Sequence, residues 1–128
     1  MIGLVVIGCD VFPEAILIAL QTTVGKLDHI CAVPLQSDED VNKQRQAILT
    51  AIDHVDAGHG VLVFTDSMNT PAGHLTLSII DKVHIEVIGG VNLPMLSKVV
   101  EKRETASLEE LAELARDEGR KSITWRRP

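Results

Sequence analysis

Two side chains in this sequence carry chemistry at points where an apolar run gives way to a turn: the thiol of Cys9 and the carboxylate of Asp66. Cys9 lies in Gly8-Cys9-Asp10, directly after the run Ile2–Ile7, and Asp66 follows the run Gly60–Thr65. A thiolate near a helix N-terminus is favoured by the unpaired N–H groups there, which makes Cys9 a candidate nucleophile. The alternative is a small residue filling a strand end, because free cysteine is among the most buried residue types. Asp66 can orient or charge-balance a neighbour at the same edge, or cap the helix that follows. A third turn, Gly89–Pro94, has the same Gly, Asn and Pro character. Turns of this kind, opening onto helices, can hold an anion.

The histidines add less. His29, His54, His59, His74 and His84 have no metal-ligand spacing, and neither a metal nor an organic cofactor is expected. Only His74 falls near the candidate edge, in the first turn of the third helix read below, where a plain surface histidine is the alternative. Cys31 lies inside an apolar run and reads as core. Together the two cysteines form neither a disulfide framework nor a zinc pattern.

The elements that must position these residues follow from the apolar pattern. The runs Ile2–Ile7, His29–Val33, Gly60–Thr65 and Val83–Ile88 are short, rich in Val and Ile, and continuous rather than alternating. Such runs suit strands buried on both faces of a parallel sheet. Between them lie segments with helical character: Pro13–Val24, Glu39–Val55 starting after Ser37 or Asp38, and Ala72–Asp81. After the fourth run, Leu93–Val100 reads as a helix, Ser107-Leu-Glu-Glu110 as a capping box opening another, and Gly119 as its C-terminal stop. Ser122–Trp125 is expected to add a short edge strand. Strand–helix alternation with right-handed crossovers gives a doubly wound, mainly parallel α/β sheet sandwiched by helices. In such a sheet ligands bind beyond the carboxyl ends of the strands, where Cys9, Asp66 and Gly89 all fall.

Length and charge set the outer bounds. With 128 residues, 45% of them apolar and 2% aromatic, the chain is expected to be one domain, residues 1–128, with an aliphatic core. Its net charge of −6 argues against nucleic acid as a partner. No apolar run reaches the ~20 residues of a membrane span, so no membrane insertion is expected. A cytoplasmic protein with reduced thiols is the expectation.

Three stretches resemble a known family. They are Met1-Ile-Gly-Leu-Val-Val-Ile7, Gly58-His-Gly-Val-Leu-Val-Phe-Thr-Asp66 and, most specifically, Val87-Ile-Gly-Gly-Val-Asn-Leu-Pro-Met-Leu96. The family is the mannose/fructose-type (type 4) IIA component of the bacterial phosphoenolpyruvate:sugar phosphotransferase system, and the likeness runs from Met1 to about Ile123. The resemblance implies a doubly wound fold that pairs as a homodimer, often with a C-terminal strand exchanged. It also implies phosphoryl transfer from the histidine-containing phosphocarrier protein, with a IIB component or a regulatory protein as the next partner.

In that family the first turn reads (S/T)HG, and its histidine is the phosphoryl acceptor; here the matching position is Cys9, followed by Asp10. The second signature reads DLFGGTPSN, and its aspartate, matched by Asp66, hydrogen-bonds the histidine. The rest of that loop differs: without a gap, Ser67 and Met68 follow the aspartate, Asn69 and Thr70 replace the two glycines, and His74 replaces the asparagine. Aligning Thr70-Pro71 with the family's TP pair instead requires a deletion. An aspartate suits an imidazole, whose N–H it accepts. Beside a thiolate it adds like charge and opposes a phosphoryl donor, and Asp10 adds more. The sequence therefore reads as a phosphocarrier fold with an altered phosphorylation site, regulatory or inactive as a carrier. The alternatives are an active carrier using Cys9, or His74, as acceptor, and a thiol redox or anion sensor.

Overall fold

A computed structural model of the chain describes residues 1–80 and 84–128. Among these residues four strands and five helices follow one another: β1 Gly3–Cys9, α1 Phe12–Val24, β2 Ile30–Leu35, α2 Val41–Val55, β3 Val61–Thr65, α3 Pro71–Leu77, β4 Ile85–Gly89, α4 Leu93–Lys102 and α5 Leu108–Lys121. All strand pairs are parallel, in the order β2-β1-β3-β4. The order reverses between β1 and β3, so the carboxyl ends of these two central strands form the topological switch point. The expected ends of the third helix at Asp81 and of the fourth run at Val83 lie outside the described residues.

Continuous apolar runs become strands here because both faces of the sheet are covered. On one face Leu4, Val6, Leu62 and Phe64 meet Leu17 and Leu20 of α1, Leu96 and Val99 of α4, and Leu111 and Ala115 of α5. On the other, Val5, Ile7, Val61 and Val63 meet Ile48, Ile52 and Val55 of α2 and Ala72 of α3. Ile2 through Gly8 are all buried, which makes β1 the axis of the core.

Three expectations need correction. Ser122–Trp125 forms no strand: Ile123 and Trp125 are 77% and 80% exposed. A strand needs a neighbour's backbone groups, and this segment pairs with no strand among the described residues. Gly119 does not stop α5, which continues to Lys121. A Cβ at Gly119 would lie 2.5 Å from Met95 Cε, so the glycine permits close packing of α5 on α4 inside the helix. Finally, β2 runs on through Pro34 to Leu35, past the expected end at Val33.

The two outer strands present their backbones differently. In β2, His29 O and Leu35 O both accept from β1, so the odd-numbered residues pair inward and Ile30, Ala32 and Pro34 face the open edge. In β4, His84 O accepts from Val61 and Gly90 N donates to Thr65, so Ile85, Val87 and Gly89 face outward. The β2 edge carries a proline and the β4 edge does not.

Candidate functional site

The switch point brings two loops side by side. Ile7 is in register with Thr65, so Cys9 ends β1 next to the place where Asp66 leaves β3. The turn after β1 is open: Cys9 and Asp10 are exposed, and neither side chain makes a hydrogen bond among the described residues. The Asp10 N–H donates to Leu35 O at 3.2 Å. Asp10 holds φ at 53°, a left-handed conformation that aspartate tolerates better than most side chains and glycine best. α1 begins at Phe12 with Pro13 in its first turn, where a missing N–H costs nothing.

The loop after β3 is knitted tightly. Asp66 Oδ1 accepts from Ser67 N at 2.8 Å and from the Thr70 hydroxyl at 2.9 Å. Thr70 is the N-cap of α3: its Oγ1 accepts from Gly73 N at 3.1 Å and also lies 2.8 Å from Ser67 O. Ser67 Oγ accepts from Asn69 N at 3.2 Å. The carboxylate of Asp66 does not itself cap α3 among the described residues; the cap is Thr70, to which Asp66 is bonded. No hydrogen bond joins Asp66 to Cys9 among the described residues.

This loop lies on α3 at very close range. A Cβ at Gly73 would sit 2.3 Å from Ser67 O and 2.7 Å from Met68 Cα, closer than real side chains come. Met68 covers Gly89 from above, which joins the third turn to the same surface. His74 lies at the end of the first turn of α3, exposed and without a side-chain hydrogen bond among the described residues.

Three residues that sequence reasoning did not single out also shape the site. Thr65 is fully buried at the end of β3 with no partner for Oγ1 among the described residues, while its carbonyl accepts from Gly90 N and Val91 N. Gly73 is the contact glycine just described. Asn92 caps α4 by accepting from Met95 N at 3.0 Å, and its amide donates to Gly119 O at 3.2 Å. Asn-Leu-Pro, one residue after Gly89-Gly90, is a helix-start signal that could have pointed to Asn92. Nothing in sequence could have identified Thr65 as unpartnered.

The sequence profile of the family described as "PTS system fructose IIA component" matches residues 3–116. The chain belongs to this family. Among curated IIA relatives, the mannose-specific EIIAB component of Escherichia coli K12 is 33% identical over 109 residues, which cover 84% of this chain and 32% of that protein. The chain thus spans about a third of that relative's length. The fructose-specific EIIA component of Bacillus subtilis is 27% identical over 112 residues, or 87% of this chain and 77% of its own. The fold agrees. The EIIA component of Streptococcus agalactiae superposes with a TM-score of 0.87 at 20% identity, covering 97% of this chain and 96% of that one. The mannose/sorbose-specific IIA subunit of Enterococcus faecalis gives 0.78 at 21% identity, covering 99% and 96%. No helix among the described residues is long and apolar enough to cross a membrane, and no cluster of metal-ligating side chains occurs among them.

Proposed function

We propose that this IIA-type phosphotransferase-system component has an altered phosphorylation site and acts in the cytoplasm through protein contacts, as a regulator rather than a phosphoryl carrier. The observation that carries this reading is the engagement of Asp66. Its Oδ1 is held by Ser67 N and Thr70 Oγ1 within its own loop, and no imidazole stands at position 9 for it to orient. Cys9 and Asp66 occupy the acceptor and aspartate positions, while Asp10, Ser67, Met68, Asn69, Thr70 and His74 line or border the former anion loop. The carboxylates of Asp10 and Asp66 repel an incoming phosphoryl group.

A second reading is favoured by the exposure of Cys9 at the switch point. In it the thiolate attacks the phosphorus of the phosphocarrier's phosphohistidine: an S–P bond forms, the P–N bond breaks, and the imidazole leaves with the electron pair. Incubation with phosphoenolpyruvate, enzyme I and the phosphocarrier protein, followed by intact-mass measurement, separates the two. No mass gain is expected, with a histidine-bearing family member labelled in parallel. Addition of one phosphoryl group, abolished by Cys9→Ser, would establish the carrier reading; abolition by a His74 variant would move the acceptor there.

The proposed assembly is a homodimer built on the β4 edge. Ile85, Val87 and Gly89 offer unpaired backbone groups beside a groove lined by Glu86, Glu109, Glu113 and Arg116. The exposed Ile123 and Trp125, with the basic Arg126 and Arg127, match that mostly acidic groove in both pattern and charge. Removal of residues 122–128 is expected to convert a dimer into a monomer in sedimentation velocity; an unchanged dimer would place the interface elsewhere.

A further inference from the structure

The opposite edge of the sheet carries an inference independent of the phosphorylation site. Between β2 and α2 runs a groove of about 570 Å³ that reaches the open edge of β2. Its floor is Val33, Ala47 and Ala51, small or aliphatic, and its rim carries Lys43 and His54. From Lys43 to His54 the helix advances about 16 Å, the length of roughly five extended residues. Ile30 to Pro34, the strand facing it, is five residues long as well. The outward backbone offers the N–H groups of Ile30 and Ala32 and the carbonyls of Ile30, Ala32 and Pro34. Of these, only Ala32 O accepts a hydrogen bond among the described residues, from the Cys31 thiol at 3.6 Å.

Charge identifies the kind of occupant. The chain as a whole carries −6, yet this groove is lined by no carboxylate, and Lys43 is its one fixed charge. Burial pushes the Cys31 thiol up, which keeps that side chain neutral. The chain's own C-terminal segment is basic and would meet Lys43 with like charge. A second copy's β2 is disfavoured because Pro34 lacks a donor, a defect that a two-fold strand pair would contain twice. We infer that this groove binds an extended acidic segment of another protein, which adds a strand to β2 and sets a carboxylate against Lys43. Backbone pairing supplies the affinity, and the small residues Ala47 and Ala51 leave room for aliphatic side chains.

The test uses a fluorescein-labelled peptide, Glu-Val-Thr-Val-Glu, with Lys-Val-Thr-Val-Lys as its charge-reversed control, read by anisotropy. Saturable binding of the acidic peptide is expected, weaker by about tenfold for Lys43→Glu and lost in Ala47→Arg. Position 47 is on the exposed side of α2, so that variant should keep the wild-type melting temperature, which is measured alongside. Three results would each overturn the inference: no saturation up to about 1 mM, equal binding of the basic peptide, or undiminished binding to Ala47→Arg. The last would put the peptide on another edge.

Discussion

The two loops at the switch point begin from adjacent strands, yet they are built in opposite ways. After β1 the chain turns in a single left-handed step at Asp10 and leaves Cys9 exposed, with neither side chain hydrogen-bonded among the described residues. After β3, Asp66, Ser67, Thr70 and Gly73 bond to one another within eight residues. The difference shows that two turns at one sheet edge can divide the work: the β1 turn stays open, whereas the aspartate loop closes on itself.

Substitutions that fall on one loop and spare the other sharpen this contrast. The largest effect is expected at Gly73. Gly73→Ala forces a Cβ against Ser67 O and Met68 Cα, both backbone atoms, and should cost about 3 kcal/mol or more in urea unfolding. A loss below about 1 kcal/mol would mean that the loop can lift off α3 freely. Next comes Thr70→Val, which keeps the shape but removes the hydroxyl that links Asp66 to the α3 cap. Loss of the cap alone costs about 1 kcal/mol, and Asp66 loses one of its two donors besides. The amide proton of Gly73 should then exchange faster with solvent, and unchanged exchange would argue against the capping bond. Smallest are changes in the β1 turn. Cys9→Ser should alter stability by less than about 0.5 kcal/mol, and Asp10→Gly should raise it by about as much through relief of the positive φ. A large loss in Cys9→Ser would show that the turn is a structural element after all.

The strands were readable because a parallel sheet covered on both faces needs nothing but consecutive aliphatic residues, and Leu4–Ile7 and Val61–Phe64 supply them. The places of Cys9 and Asp66 followed from that reading alone, since the end of a run fixes the edge on which its next residue lies. What sequence did not disclose depends on distant partners. Pro34 looks like a strand stop, but it stands on an edge where its missing N–H faces outward. Gly119 has the residue type of a helix end, yet Met95 from another helix determines its role. Thr70 was set against a family glycine in the ungapped comparison, whereas in the structure Thr70-Pro71 opens α3 with a side-chain cap. The expected strand at Ser122–Trp125 has the alternating pattern but pairs with no strand among the described residues.

Arg103 shows how the ends of the chain depend on each other. Its buried guanidinium donates to Ile2 O at 3.0 Å and to His29 O at 2.8 Å, while its carbonyl accepts from Ile2 N. β1 precedes both of its neighbours in the chain, so it waits for β2, for β3 and for a residue just past α4 before its contacts are complete. A nascent chain stalled before Arg103 has emerged would have β2 and β3 at hand for β1, but would leave the carbonyls of Ile2 and His29 without the guanidinium that ties them together.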